Sequence, residues 1–324
     1  MIHPVPPGTR DVLPDEMREL RALSGSLHDS FERAGYGEVW TPALEYEEVL
    51  RRGDPPSRGP GDGAAGAGFR MFDDRGQVLA LRSDPTIPIA RLVANRYAGE
   101  AGPLRLSYFA HAYRSVSRGS GQAREFLQGG IELIGVGGAE GDAEVIALVD
   151  SALTEAGLRR HRIGLGDGML YRSLLAENGV EGDRAEPLLG ALWRRDLVGL
   201  EAQVDQLDCG KAARELLVSL PALRGGPEVL DRVPGPGAEH LRAVHELLAE
   251  RGVGERVIFD LGLVRDLGYY TGTIFEVLDP AVAFVLGGGG RYDELLGRFG
   301  EPRPACGAGL DIQRVHVAQI EEGS

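Results

Sequence analysis

Residues Leu104 to Glu132, LRLSYFAHAYRSVSRGSGQAREFLQGGIE, constrain this chain more than any other stretch. The alternation Leu104, Leu106, Tyr108, continuing to Tyr113, predicts a buried strand. A Gly/Ser/Arg turn at Arg118–Gly121 follows, and a second strand is predicted from Arg124 to Ile134. The two-residue side-chain period of a strand sets Arg124, Phe126, Gln128, Gly130 and Glu132 on one face. A Gln and a Glu flanking a glycine fill a core badly. They suit either a solvated hairpin face or a polar pocket whose floor is bare backbone.

The rest of the composition narrows the classes. With 324 residues, the chain has room for one large domain carrying a smaller insert. Hydrophobic residues at 43% and charged residues at 26% are ordinary for a soluble globular protein. No apolar run approaches a membrane span, and the proline- and acid-rich start has no signal core, so the cytoplasm is expected. Cys209 and Cys306 are the only cysteines, too few for a disulfide scaffold or a structural zinc site. Net charge is −14 and no basic block exceeds a pair, which disfavours a long nucleic acid partner.

Taken in order, the chain reads as follows. A proline-punctuated lead-in precedes a helix with Met17, Leu20, Leu23, Leu27 and Phe31 at helical spacing, and Asp15 is placed to cap it. Val39-Trp40 is read as a short strand ended by Pro42, and Leu44 to Arg51 as helical. Residues 53–68 are Gly/Pro/Ala-rich and read as a surface loop. Phe69–Phe72 and Val78–Leu81 form a predicted hairpin around Asp73-Asp74-Arg75-Gly76. In Arg82-Ser83-Asp84-Pro85-Thr86-Ile87-Pro88, Asp84 or Thr86 can cap a helix running to Tyr97. A carboxylate and a hydroxyl at such a junction also suit an ammonium group. A helix over Ala139–Ala156 and a strand over His161–Leu165 follow. Leu/Ala/Glu/Arg-rich texture from about 170 to 255 predicts a helical insert, and Val257–Leu261 returns to strand. Beyond it come Arg265-Asp266-Leu267-Gly268-Tyr269-Tyr270, then a strand over Val282–Leu286 leading to Gly287–Gly290, with a helix expected after Asp293. The glycine run permits close backbone approach but lacks the Lys-Ser/Thr of a phosphate-binding loop.

Together these stretches resemble the catalytic core of histidyl-tRNA synthetase, a class II synthetase. The likeness spans residues 5–52, 69–166 and 256–320. Pro42 matches the dimer-interface proline of the first class II motif. Arg114, Phe126, Gln128 and Glu132 match the second, Arg265 to Gly272 the histidine-specific motif, and Gly307 to Arg314 the third. The resemblance implies an α+β fold, a class II synthetase-like antiparallel sheet flanked by helices. It divides the chain into a first core part at 1–169, the helical insert at 170–255 and a second core part at 256–324, with no anticodon-binding domain.

Departures from the synthetase pattern bear on function. Val116 stands where a synthetase has an acid that helps hold ATP, and Asp311 where it has a small glycine against the nucleotide. A carboxylate there would crowd and repel a triphosphate, at a cost of several kcal/mol in a poorly solvated site. Asp84 is shorter than the usual glutamate, and Asp266 and Gly268 are exchanged relative to the usual order. Leu81 to Arg91 is similar instead to the synthetase paralogues that serve as regulatory subunits of ATP phosphoribosyltransferase, with Ser83 as the one departure. That resemblance implies a non-catalytic subunit with no metal or cofactor, acting in histidine biosynthesis. It implies homodimers inside a hetero-oligomer with the short-form catalytic ATP phosphoribosyltransferase subunit, and neither tRNA nor membrane as partner. It further implies L-histidine as ligand, contacted by Asp84, Thr86, Arg114, Gln128, Glu132, Arg265, Tyr269 and Tyr270. The competing classes are a stand-alone histidine-activating ligase and a truncated histidyl-tRNA synthetase.

Overall fold

The computed structural model describes residues 4–54, 68–115, 123–263 and 268–323. The segment from Leu104 to Ile134 is a hairpin of two ten-residue strands, Leu104–Tyr113 and Glu125–Ile134, in antiparallel register with Leu106 opposite Glu132 and Tyr108 opposite Gly130. Around it lies a nine-stranded sheet. Its order is Gly37–Glu38, Leu104–Tyr113, Glu125–Ile134, Ala305–Asp311, Val285–Arg291, Thr273–Leu278, Arg162–Asp167, Val257–Asp260 and Arg224–Gly225. The pairings are antiparallel except for Gly37–Glu38 on Leu104–Tyr113 and Arg162–Asp167 on Val257–Asp260. The expected antiparallel sheet flanked by helices is therefore present, with a parallel pair towards each end.

Strand alternation gives the sheet two different faces. Ile131, Leu133, Cys306, Ala308 and Leu310 point into a large core shared with the helices Pro14–Arg33, Gly138–Glu155, Pro236–Glu250 and Ile312–Gly323. Leu27 and Phe31 are completely buried there, each worth about 1.5–3 kcal/mol relative to exposure. Leu106, Tyr108, Ile134 and Ala305 face the other way. They meet a second core with Ile87, Ile89 and Val93 of the helix Thr86–Arg96 and with Tyr269, Tyr292 and Leu295. Buried Arg82 binds this face to the turn at Pro42: its guanidinium donates to Thr41 O at 2.6 Å, Pro42 O at 3.1 Å and His111 O at 2.8 Å. Asp84, two residues on, is thereby set against the sheet.

Local readings of the sequence needed several corrections. Leu44–Tyr46 is a strand, not helix, because it pairs with Leu79–Leu81 of the predicted hairpin; the helix starts at Glu47 and runs to Gly53. The first edge strand is Gly37–Glu38, while Trp40 is 82% exposed. Asp15 lies in the first turn of its helix instead of capping it. The four glycines sit inside the strand Val285–Arg291, and only a single 3₁₀ turn, Leu296–Arg298, follows Asp293. Between 170 and 255 the helices Leu170–Glu177, Glu186–Trp193, Leu197–Val204, Lys211–Ser219 and Pro236–Glu250 do form. Arg224–Gly225 interrupts them to close the sheet edge, and their apolar residues join the main core instead of enclosing one of their own. The 55–67 loop, Val116 and Arg265 lie outside the described residues.

Candidate functional site

Two rows of the sheet make the floor of a cavity. One runs Tyr108, Gly130, Gly309, Gly288, Glu276 across five strands; the next runs Leu106, Glu132, Gly307, Gly290, Ile274. The glycines are there for space. A Cβ on Gly309 would collide with the Gln128 side chain, and one on Gly307 with the Glu132 carboxyl group. The cavity above this floor has a volume of about 220 Å³, below the range of drug-sized pockets and suited to a small metabolite.

Its inner end is polar and poorly solvated. Asp84 is 4% exposed; its Oδ1 accepts the backbone N–H of Thr86 at 2.7 Å and of Ile87 at 3.4 Å, so it does cap the helix. Its other oxygen, Oδ2, is buried and meets no donor among the described residues. Burial raises the Asp84 pKa against the opposing pull of Arg114. Gln128 Nε2 donates to Tyr108 OH at 3.1 Å, leaving Gln128 Oε1 buried and likewise unmatched. The Arg114 guanidinium lies over the Phe126 ring at 4.8 Å. Tyr269 and Tyr270 form one wall with ring centroids 4.9 Å apart.

Glu132 lies one layer deeper, 1% exposed. Thr86 Oγ1 donates to its Oε1 at 2.8 Å and Tyr292 OH to its Oε2. Burial pushes the carboxyl group up to about 8, outweighing the two hydroxyl bonds that lower it; the Asp84 charge pushes the same way. Of the eight residues named from the sequence, Asp84, Thr86, Arg114, Gln128, Tyr269 and Tyr270 line this one cavity, Glu132 underlies it, and Arg265 falls outside the described residues. Sequence reasoning missed Tyr108 and Tyr292, the hydroxyl partners of Gln128 and Glu132. Tyr108 was legible as the strand partner of Gly130. Tyr292 had a weaker signal, an aromatic next to a glycine run.

The outer end holds Glu276, Asp311 and Arg314 beside Val285–Gly288. Arg314 is already occupied: Nε lies 3.3 Å from Asp311 Oδ2, Nη1 donates to Val285 O at 2.9 Å, and its guanidinium lies 5.5 Å from the centre of the Phe284 ring. Burial raises the Asp311 pKa, opposed by Arg314 and Arg114. An arginine engaged by an internal carboxylate, with a second carboxylate close by, is a poor receptor for a polyphosphate.

The chain as a whole is matched in known proteins. The chain matches the histidyl-tRNA synthetase family over residues 8–315. The ATP phosphoribosyltransferase regulatory subunit of Symbiobacterium thermophilum is 41% identical over 332 residues, covering 99% of this chain and 81% of the relative. The chain belongs to the ATP phosphoribosyltransferase regulatory subunits of the histidyl-tRNA synthetase family. The Moorella thermoacetica regulatory subunit is 38% identical, covering 98% of this chain and 82% of its own length. Among solved structures, an ATP phosphoribosyltransferase regulatory subunit/histidyl-tRNA synthetase from Bacillus halodurans superposes with a TM-score of 0.88 at 33% identity, covering 98% of this chain and 84% of that one. Apo histidyl-tRNA synthetase from S. aureus, at 23% identity and a TM-score of 0.70 over 99% of this chain and 75% of its own, shares the fold. The regulatory class expected from Asp311 is the class of these curated relatives. Among the described residues no helix is long and apolar enough to cross a membrane.

Proposed function

We propose that this chain binds L-histidine in the cavity above Gly307 and Gly309 and, as a regulatory subunit, passes that signal to a short catalytic ATP phosphoribosyltransferase subunit at the start of histidine biosynthesis. The observation that carries the reading is the pair of buried, unmatched acceptors, Asp84 Oδ2 and Gln128 Oε1, on one small cavity. A buried acceptor left unbonded costs about 1–3 kcal/mol, and an α-ammonium has donors for both. In this reading Arg114 forks onto the α-carboxylate, and Glu132 and Tyr270 take the two ring nitrogens. Arg265 joins this set by resemblance alone. The exposed Leu44, Tyr46 and Met71, on one face of the three-stranded sheet of Leu44–Tyr46, Val78–Leu81 and Arg70–Phe72, support a self-associating face.

Calorimetric titration of the chain with L-histidine tests the reading directly; saturable one-site binding is expected, and no heat at millimolar ligand would sink it. Arg114→Lys should weaken that binding about tenfold, since an ammonium cannot make the planar two-pronged contact. Histidine-dependent ATP–pyrophosphate exchange is expected to stay at background; brisk exchange would favour the ligase reading instead. Co-expression with the catalytic subunit should yield one co-purifying complex whose transferase activity responds to histidine.

A further inference from the structure

Tyr292 stands out as a residue with no assigned role and almost no freedom. It is buried, and its hydroxyl ends on Glu132 Oε2. Its ring meets Tyr269 edge-on at 5.7 Å, and its backbone N–H donates to Ala305 O at 2.7 Å. Both chain neighbours are locked. Arg291 is ion-paired to Asp142 at 2.7 Å and to Asp293 at 2.9 Å, and the Asp293 N–H donates to Thr271 Oγ1 at 2.9 Å. Alternation turns Arg291 and Asp293 into a separate cavity of about 390 Å³, leaving Tyr292 alone to face the amino-acid cavity. A hydroxyl fixed in this way orients whatever it bonds.

We propose that Tyr292 is a positioning residue of the amino-acid cavity, whose hydroxyl holds the Glu132 carboxyl group so that a bound imidazole ring shares a single proton with it. The inference rests on the histidine-binding reading above. The titratable groups facing Glu132 are Asp84 from the turn before the Thr86–Arg96 helix, Tyr108 from the neighbouring strand, Tyr269, and Tyr292 itself; Cys306 lies beside it on the next strand. Arg114 acts on Asp84, and no cation contributes to the shift at Glu132. A carboxyl group in such company favours holding a proton until a basic ring arrives to share it.

The bound pair then carries one proton between ring and carboxyl. Free histidine gains a ring proton below about pH 6.5, and the empty cavity loses its carboxyl proton near 8. Affinity should be level between these limits. Above the upper one, binding must take up a proton, and affinity should fall about tenfold per pH unit. The Tyr292 hydroxyl lowers the Glu132 pKa, so removing it moves that fall to higher pH.

The test is L-histidine titration of the full chain from about pH 5.5 to about pH 9.5, for wild type, Tyr292→Phe and Glu132→Gln, in buffers of different ionisation heat to count protons. Tyr292→Phe should bind about tenfold more weakly at neutral pH, with its alkaline fall displaced upward. Glu132→Gln should lose the carboxyl-linked fall and keep only the one, common to all three proteins, that follows loss of the ligand's own α-ammonium proton. Weaker binding in Tyr292→Phe with an unmoved pH profile would make the tyrosine merely structural and overturn the proposal. So would a wild type whose affinity shows no alkaline fall, which can be read even if a variant folds poorly. A wild type that binds no histidine at any pH would instead remove the ligand reading on which this one stands.

Discussion

Glu132→Gln is expected to bind histidine tenfold to a hundredfold more weakly than wild type and yet, above about pH 8, to be the more stable protein. The two effects share a cause. In the folded chain, burial raises this carboxyl group from 4.5 to about 8, so between those values the folded state keeps a proton that the unfolded state has lost. Stability contributed by Glu132 is therefore present below pH 4.5 and is lost as pH rises towards 8. At about 1.4 kcal/mol per pH unit, the full loss is on the order of 5 kcal/mol. A glutamine does not titrate, and of the Thr86 and Tyr292 hydroxyls one can turn to accept from its amide NH2 while the other still donates to its carbonyl oxygen. Urea unfolding at about pH 5, 7 and 9 measures the difference between the two proteins, cancelling the other carboxylates that burial also raises, Asp84, Asp167 and Asp311. A difference that does not grow with pH would mean that Glu132 is ionised in the folded state over this whole range. The binding loss follows from chemistry at the same atoms, because a neutral amide cannot share a proton with an imidazole as a carboxyl group can.

How far the sequence carries towards this site depends on the range of the interaction concerned. Asp84 was readable as a cap with a second possible duty because its backbone partners, Thr86 and Ile87, are two and three residues away. The common face of Phe126, Gln128 and Glu132 was readable from strand periodicity alone. Tyr292 was not, since its partner Glu132 is 160 positions away and only the register of two strand pairs brings them together. The glycine run misled in the same way. With no side chains to alternate, it carries no strand period, so it read as a loop after a strand instead of the strand itself. Leu44–Tyr46 followed helical expectation until a hairpin edge more than thirty residues on offered it a partner. In each case a tertiary pairing overrode a local preference.

Gly289→Ala and Gly309→Ala should separate folding from binding, although the two glycines lie in adjacent strands of the same sheet. At Gly289 an added Cβ would run into the backbone of the neighbouring strand, at Gly307 O and at Ala308 Cα 2.8 Å away. Backbone atoms in a central antiparallel pair can yield only by spreading the two strands. Gly289→Ala is therefore expected to lose about 3 kcal/mol or more, at or beyond the upper end of ordinary overpacking. Its lowered urea midpoint should appear with an unchanged slope. At Gly309 the same methyl meets the Gln128 side-chain amide and, at 3.0 Å, the Tyr108 hydroxyl. These are the ends of side chains, and the cavity gives Gln128 somewhere to turn. The fold should lose about 1 kcal/mol or less, while the displaced Gln128 both blocks the ammonium position and leaves Tyr108 unbonded. Histidine binding should then fall at least tenfold. Equal loss of stability in the two variants would mean that Gln128 is as immobile as a backbone, and unchanged binding in Gly309→Ala would move the ligand away from this floor.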